Sequence, residues 1–291
     1  MFLAPSHAHA LARPSVVCSV ALLLLGSASA LLAQGTLGSA QQFGVLGAST
    51  VTNTGTTTIK GDLGVSPGTS ITGTGSVTLL GTIHTGDAVA QQGQSDALTA
   101  FNGLNGRAPT TILTGMDLGG RTLTPGVYFF ASSAQLTGNL TLDFGGMSNA
   151  LFLFEIKSTL TTATASSVSV INGTSSDAIF FDVGSSATLG TSTMFEGNIL
   201  AAQSITLNTS ATIICGRAIA LNGAVTMDSN IISNDCANGG NFDHNATDFG
   251  SNGFNGFAAV TTTPEPGSMT LVVTGLIGVV GFVRRRKGVV A

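Results

Sequence analysis

Charged residues are scarce in this chain of 291 residues. It has 10 bases and 14 acids, so charged residues make up 8% of the sequence, against about a quarter in a typical globular domain. Tryptophan is absent and tyrosine occurs once, whereas glycine occurs 39 times. This composition is unusual for a globular enzyme. A membrane protein is also disfavoured, because the apolar residues are dispersed among Thr, Ser, Gly and Asn except for one run near each end.

Basic residues are especially few once both ends of the chain are set aside. Residues 35–263 contain five bases and 13 acids, a net charge of −8. Nucleic-acid binding needs a basic footprint, so we expect no nucleic-acid partner. The glycine-rich stretch at residues 61–68 lacks the Lys-Ser/Thr pair of a phosphate loop. No cofactor motif is present, and we expect no cofactor.

Groups that could perform catalysis are equally sparse. Residues 35–263 contain two histidines, His84 and His244, and neither lies near a Gly-x-Ser-x-Gly nucleophile motif. The triplet Asp243-His244-Asn245 has metal-binding residue types, but its Asn/Gly-rich surroundings favour a solvated turn. The acids are dispersed, so nothing supports a paired-carboxylate site. We therefore predict that the chain is not an enzyme and has no metal site.

The first apolar run is typical of an export signal. Arg13 precedes an apolar stretch at residues 16–25, and Ala28-Ser29-Ala30 is a small-residue cleavage pattern. A membrane anchor is the alternative, but the run is short for a span. We expect residues 1–34 to be a signal peptide.

The second apolar run belongs to a three-part pattern at the C-terminus. Pro264-Glu265-Pro266 is followed by apolar residues 269–283 and then by the basic cluster at residues 284–287. This order closely resembles the PEP-CTERM sorting signal of Gram-negative bacteria. The resemblance implies transient anchoring by a short transmembrane helix, cleavage by a sorting protease, and delivery to the cell surface or an exopolysaccharide matrix.

Two cysteines remain when the signal, with Cys18, is removed. The interval between Cys215 and Cys236 is close to the length of the repeat described next. In an exported protein they form either a disulfide between neighbouring coils or two buried free thiols.

A loose repeat runs through the second half of the chain. Short strand-like motifs are centred on Thr141, Thr161, Thr188, Thr206 and Thr226, at similar intervals except for a longer one between Thr161 and Thr188. A repeat of about 20 residues predicts solenoid coils, each too small to bury its own apolar face. The longer interval implies an insertion around residues 175–177. Apolar and polar residues alternate within these motifs, as in β-strands.

Three segments depart from simple alternation. Residues 87–105 predict an amphipathic helix, with Asp87 as its N-cap. Residues 150–156 and 178–183 are almost continuously apolar, which predicts strands covered on both faces. A helix lying along the solenoid wall would provide the second cover.

Several stretches together resemble the bacterial and fungal ice-binding (antifreeze) proteins. The match is carried by FGVLGASTVTNTGTTTIKGDLGVSPGTSITG at residues 43–73, LGGRTLTPGVYFF at 118–130, and LFLFEI, ATLGTSTMFEGNILA and ATIICGRAIAL within 151–221. It spans residues 36–235 in the family's order. Cys215 is a departure, because the family more often has Asn before Gly-Arg. The resemblance implies a mainly β fold, an irregular right-handed β-solenoid with one α-helix packed alongside.

The resemblance also implies a flat ice-binding face rich in Thr, Ser and Ala. The family's face carries Thr-[Ala/Gly]-x-[Thr/Asn] tetrads, and 54–57 is the stretch that fits this pattern well. By position after the threonine repeat, the candidate ice-binding residues are Thr54, Thr56, Thr57, Thr164, Ser166, Thr191, Thr193, Thr209, Ala211, Thr212 and Ser229. The alternative face is the threonine column itself, at positions 141, 161, 188, 206 and 226.

The sequence thus predicts four segments: a signal peptide (1–34), an ice-binding solenoid (35–237), a cap and linker (238–263) and a sorting signal (264–291). The expected partner is the ice surface, and the expected state is an exported monomer. An adhesive matrix protein that associates with exopolysaccharide is the second hypothesis. A polysaccharide lyase or hydrolase is the third, but it would need a charged cleft, and three arginines remain in residues 35–263.

Overall fold

The structure is a computed structural model that describes residues 36–174 and 176–235. In these residues the chain forms 22 β-strands, one α-helix and two short 3₁₀ helices, Gly38–Gln42 and Thr74–Ser76. The α-helix is α1 (Ala88–Leu104). The strands are β1 (Phe43–Gly47), β2 (Thr50–Thr54), β3 (Thr57–Lys60), β4 (Asp62–Val65), β5 (Ser70–Thr72), β6 (Val77–Leu80), β7 (Ile83–Thr85), β8 (Thr111–Ile112), β9 (Arg121–Leu123), β10 (Gly126–Phe130), β11 (Ala134–Leu136), β12 (Asn139–Asp143), β13 (Leu151–Ile156), β14 (Leu160–Thr162), β15 (Ser167–Ile171), β16 (Ala178–Val183), β17 (Ala187–Leu189), β18 (Met194–Ala201), β19 (Ile205–Leu207), β20 (Thr212–Ala220), β21 (Val225–Asp228) and β22 (Ile231–Ser233).

The strands wind into stacked coils, and each full coil in the described ranges contributes one segment to each of three faces. The seven-stranded face has the order β11-β14-β17-β19-β21-β2-β5. The helix-covered face contains β8, β10, β13, β16, β1, β4, β7 and the second halves of β18 and β20. The third face contains β9, β12, β15, β22, β3, β6 and the first halves of β18 and β20. Neighbouring strands are parallel, so the predicted β-solenoid is confirmed.

The coils are not stacked in the order in which they occur in the chain. β2 lies between β21 and β5, so the first two coils of the sequence extend the stack beyond the last one. Helix α1 follows these first coils and carries the chain back toward the opposite end. Its 17 residues span about 25 Å at 1.5 Å per residue, which is roughly five strand spacings.

Helix α1 forms where the sequence predicts it, but two apolar residues expected on its buried side, Val89 and Leu98, are exposed. The Asp87 carboxylate accepts a hydrogen bond from the Ala90 amide at 2.9 Å, which is the geometry of an N-cap. The buried side of the helix is made of small residues, so it lies close to the helix-covered face. A Cβ at Gly93 would come 2.7 Å from the Phe43 ring, and only glycine permits this approach.

Side chains that point inward from the three faces form one continuous core. Equivalent aromatic residues stack on successive coils: the Tyr128 and Phe154 ring centroids are 5.3 Å apart, and those of Phe154 and Phe181 are 4.4 Å apart. Strands β13 and β16 are buried on both sides because α1 covers their outer face. This confirms the interpretation of their continuously apolar sequences.

The predicted insertion lies at a corner of the solenoid. Residues 172–177 separate β15 from β16, and residues 144–150 separate β12 from β13 at the same corner of the preceding coil. Later coils pass this corner within the single long strands β18 and β20, where Gly197 and Cys215 have positive φ angles of 119° and 53°. Cys215 is fully buried and disulfide-bonded. Its predicted partner, Cys236, lies outside the described residues, so the pairing stays a prediction.

Candidate functional site

The seven-stranded face carries a column of threonines at the centre of its strands. Strand pairing places each of them directly beside the next, and their side chains point outward because the flanking residues point into the core. From one end of the face to the other, this central threonine column contains Thr161, Thr188, Thr206, Thr226, Thr52 and Thr72. Gln135 continues it on the outermost strand, β11.

Two further outward columns flank the central one, each two positions away along the strand. The serine-rich column on one side contains Ser133, Thr159, Ser186, Ser204, Ala224, Thr50 and Ser70. The corner column on the other side contains Thr137, Ala163, Gly190, Asn208, Asp228 and Thr54. Almost every side chain on this face is therefore short and uncharged.

The columns form a regular grid with free hydroxyl groups. Strand spacing sets one repeat at about 4.8 Å, and alternate residues along a strand set the other at about 6.6 Å. The hydroxyls of the central column make no hydrogen bond to any other group in residues 36–174 or 176–235. They are available to water, whereas the serine-rich column is partly linked, as in the 2.8 Å bond from the Thr159 hydroxyl to that of Ser133.

Asp228 is the one charged residue in the three columns on these seven described strands. Its carboxylate accepts hydrogen bonds from the Thr209 hydroxyl at 2.5 Å and from the Ser229 hydroxyl at 3.1 Å. The bond from Thr209 is the main reason that the pKa of Asp228 lies below its usual value. The group is therefore ionised at neutral pH and interrupts an otherwise neutral surface.

The predicted ice-binding residues lie mainly at the corner between the seven-stranded face and the third face. Thr54 is in the corner column, and Thr56, Thr164, Thr191 and Thr209 are exposed in the turn that follows it. Ser229 lies in the same turn and is partly buried, and Thr212 begins β20 on the third face. Thr57, Ser166, Thr193 and Ala211 point into the core and are 0% exposed. The structure thus brings the set together along one edge, with its members facing in two directions.

The buried members stabilise the corner from inside. The Thr162 and Thr193 hydroxyls are 2.7 Å apart, and Thr162 also accepts a hydrogen bond from the Gly190 amide at 2.8 Å. Ser166 donates to the Leu136 carbonyl at 3.0 Å. These bonds satisfy backbone groups that the turn leaves without strand partners. The hydroxyls of Thr162, Thr193 and Ser166 therefore have a structural role at the corner whether or not it contacts a ligand.

The turn itself places a residue in the left-handed backbone region on successive coils. Ala165, Ser192, Ser210 and Ser229 have φ angles of 56°, 56°, 61° and 55°. On the coil of β2 the equivalent residue is Gly55, with a φ of 66°. The repeated sequence signal after each threonine of the column therefore reflects turn geometry as well as surface chemistry.

The threonine column that the sequence predicts is present in the structure, but its members differ from those predicted. Thr141 does not belong to it: β12 pairs with β9 and β15 on the third face, so the prediction for this residue is wrong. Its interval from Thr161 matches the repeat only through a coincidence of loop lengths. Thr52 and Thr72 were missed, although the interval between them also matches the repeat.

Comparison with known proteins identifies the group to which this architecture belongs. The sequence model of the family described as "Ice-binding-like" matches residues 45–233. This chain belongs to that family. An ice-binding protein from Nostoc sp. (strain HG1) is 60% identical over 200 residues, which cover 69% of this chain and 74% of that relative.

Solved structures of the ice-binding family share the fold. An ice-binding protein from an Antarctic biological consortium matches with a TM-score of 0.64 and 46% identity, covering 67% of this chain and 89% of the other. One from the Antarctic ascomycete Antarctomyces psychrotrophicus matches with a TM-score of 0.64 and 40% identity, covering 68% and 97%. Family membership confirms the predicted resemblance, and with it the prediction of a protein that is not an enzyme.

The C-terminal prediction is confirmed as a sequence motif. The PEP-CTERM protein-sorting motif matches residues 262–287. The expected transmembrane helix of this motif, the signal peptide and the triplet at residues 243–245 all lie outside the described residues. Between residues 36 and 235, apart from residue 175, no helix has the length and apolar character needed to cross a membrane.

Proposed function

We propose that the protein binds ice through the seven-stranded face, with the central threonine column as its main contact. The observation that carries this proposal is the in-register stacking of six threonines with free hydroxyls. Membership of the ice-binding family supports ice as the ligand. Adsorption at this face would limit the growth and recrystallisation of ice.

Threonine suits such a surface for two physical reasons. Its χ1 angle is restricted by β-branching, so little side-chain entropy is lost when it docks. Its methyl group gains from the release of water, while its hydroxyl holds water at a fixed position. Each contact is weak, and affinity requires many contacts made at once on a rigid plane. The parallel coils and the aromatic stack beneath them provide that rigidity.

The corner residues have two separate roles in this proposal. We propose that Thr54 and the exposed turn residues Thr56, Thr164, Thr191 and Thr209 widen the contact surface along one edge. The buried residues of the predicted set instead hold the turn in place, because their hydroxyl or methyl groups lie inside the solenoid. The adsorbing plane is therefore centred on the sheet, and the corner is its margin.

A direct test is the adsorption of fluorescently labelled protein, residues 35–263, to a single-crystal ice hemisphere. The proposed function predicts that the label concentrates on defined ice planes and that the protein keeps crystals small during annealing. Bovine albumin at the same concentration is the control. Unlabelled ice together with crystal growth equal to the albumin control would refute ice binding.

For location, we propose export and delivery to the cell surface by the C-terminal motif. The support is the match of residues 262–287 to the PEP-CTERM motif, which is a Gram-negative sorting signal. We propose that residues 35–237 form the ice-binding domain, 238–263 a cap and linker, and 264–291 a cleaved sorting segment with a short transmembrane helix. A monomer is favoured because the exposed face is hydroxyl-rich rather than apolar.

We propose that the delivered protein lies in an exopolysaccharide matrix. Immunodetection in intact cells, with and without residues 264–291, tests this location. Loss of the surface signal on deletion supports it, and an unchanged signal refutes a role for the motif. Retention of the protein on isolated exopolysaccharide without any effect on ice would favour the adhesive matrix function instead.

A further inference from the structure

Two carboxyl side chains are buried side by side on the helix-covered face. Glu155 on β13 and Asp182 on β16 are paired in register, and each is 2% exposed. The residues before them, Phe154 and Phe181, point into the solenoid core, so the two carboxyl groups point outward beneath α1. In-register residues on neighbouring strands lie about 4.8 Å apart. The two acids therefore share one site that is closed to water.

Glu155 is the acceptor of a small network at the C-terminal end of α1. Its Oε1 atom accepts a hydrogen bond from the Gly106 amide at 3.0 Å and another from the Lys157 ammonium group. The same ammonium group donates to the Asn105 side-chain oxygen at 2.7 Å. Asn105 and Gly106 directly follow the last residue of the helix. These bonds therefore attach the end of α1 to β13.

Asp182 has no comparable partners. Neither of its carboxyl oxygens has a hydrogen-bond partner in the part of the chain that the structure describes. A buried ionised carboxylate without partners is strongly destabilising, whereas a protonated carboxyl group is neutral and can donate a hydrogen bond. Burial is the main reason that the pKa of Asp182 rises from 3.8 to about 7; the charge of Glu155 raises this pKa further, and that of Lys157 lowers it.

The other elements around the two acids contribute apolar side chains. Leu200 on β18 is paired in register with Asp182, and Leu104 of α1 belongs to the same apolar cluster as Leu200. Arg107, which follows the helix, is exposed and donates to a carbonyl of the helix at 3.4 Å. Among the described residues, Lys157 is therefore the cation that faces this pair, and one cation cannot neutralise two ionised carboxylates.

We propose that Glu155 and Asp182 form a pH-sensitive latch for the C-terminal end of α1. While Asp182 is protonated, its hydroxyl donates to the Glu155 carboxylate, and Lys157 neutralises the single negative charge of the pair. When Asp182 loses its proton to solvent, two like charges face each other in a dry site. The end of the helix then lifts from β13 and β16, and water reaches both carboxylates. This inference does not depend on ice binding.

Hydrogen–deuterium exchange of the full chain in detergent at pH 6 and pH 8 tests the latch. Exchange is expressed as protection relative to an unstructured peptide of the same sequence at the same pH, which removes the intrinsic pH dependence of exchange. Because the pKa of Asp182 is about 7, the open end gains about tenfold for each further pH unit. Protection of residues 101–106 should therefore fall about tenfold between pH 6 and pH 8. Strand β2, which contains no titratable residue, should keep its protection.

Three variants separate the latch from general effects of pH. Asp182→Asn has nearly the same shape and donates to Glu155 at every pH, so its residues 101–106 should be equally protected at pH 6 and pH 8. Glu155→Gln removes the like charge that opposes ionisation of Asp182, so the loss of protection should begin at a lower pH than in the wild type. Asp143→Asn is the matched control, because it removes a partly exposed carboxylate on the third face. Its response should match that of the wild type.

Three outcomes would overturn the proposal. Equal protection of residues 101–106 at pH 6 and pH 8 in the wild type would show that the end of the helix does not respond to pH. A fall in Asp182→Asn as large as that of the wild type would show that another group is the sensor. A loss of protection that is equally large in β2 would show that high pH destabilises the whole solenoid rather than releasing the end of the helix.

Discussion

Replacing Thr206 with tyrosine is the sharpest perturbation of the proposed ice-binding face. Seven strands spaced about 4.8 Å apart make the face about 30 Å long, and three columns make it about 13 Å wide. If about half of this area of roughly 400 Å² is methyl surface, its removal from water contributes about 5 kcal/mol. Thr206 lies near the centre of the grid. A tyrosine ring that protrudes at position 206 would therefore keep ice away from this position and from its eight outward-facing neighbours.

These nine of the 20 grid positions are about 45% of the contact surface. The expected loss is therefore about 2 kcal/mol, which is about a 30-fold weaker adsorption constant. The measurement is the lowest protein concentration that inhibits ice recrystallisation, which should rise by about this factor. Thr206 is partly exposed, so the larger side chain extends into solvent, and circular dichroism should show an unchanged fold.

Thr141→Tyr is the matched control. Thr141 is also a partly exposed strand residue, but it lies on the third face. This variant should inhibit recrystallisation at the wild-type concentration. The reasoning fails if Thr206→Tyr is as active as the wild type, or if Thr141→Tyr loses activity to the same extent.

Three further predictions concern charge, backbone and pH. Asp228→Asn removes the single charge of the grid, while the new amide oxygen still accepts a hydrogen bond from the Thr209 hydroxyl. Because an ionised carboxylate resists dehydration on docking, this variant should inhibit ice recrystallisation at a lower protein concentration than the wild type. An unchanged or higher concentration would contradict this reasoning. Ser210 has a left-handed φ of 61°, a conformation that glycine adopts without strain. Ser210→Gly should therefore raise the free energy of unfolding, measured by urea denaturation, by about 0.5 kcal/mol. A lower free energy of unfolding would show that the serine backbone is not strained. Burial, aided by the charge of Glu155, raises the pKa of Asp182 from 3.8 to about 7. The folded state thus binds this proton more tightly than the unfolded chain, so the contribution of Asp182 to stability should be greatest below pH 4 and should be lost as the pH rises to about 7. Asp182→Asn should flatten this fall in pH-dependent urea titrations, and an unchanged slope would refute the assignment.

Sequence periodicity was sufficient to predict strands wound into coils, because each coil obeys local rules. Alternation placed Ile205 and Leu207 inside and Thr206 outside, and the pairing of β19 with β17 and β21 confirms it. The position of helix α1 was also predictable, since Asp87 provides an N-cap. These features depend on neighbours within a few residues, and a linear pattern records them directly.

The direction of the corner side chains could not be predicted in the same way. Thr191 and Thr193 are two positions apart, yet Thr191 is exposed and Thr193 is 0% exposed. In a strand, such alternate residues would share a face, but Ser192 between them has a φ of 56° and turns the chain. Threonine satisfies either position, since its hydroxyl bonds equally well to water or to the Ala163 carbonyl at 3.2 Å. Composition alone therefore cannot separate contact residues from turn residues.

The stacking order of the coils brings distant parts of the chain together on the seven-stranded face, and no local sequence pattern reveals this. Thr226 pairs with Thr52, although most of the described chain separates them in the sequence. The central threonine column therefore joins four coils from the second half of the chain to two from its beginning. The junction between Thr226 and Thr52 is held from within the same coils: the Asn230 amide donates to the Thr57 hydroxyl at 3.0 Å, and the Thr54 hydroxyl donates to the Met227 carbonyl at 3.2 Å. Since the proposed ice-binding plane is continuous only while this non-local junction is closed, its size depends on the folding of both chain regions, and the buried Thr57 hydroxyl supports the plane without reaching the surface.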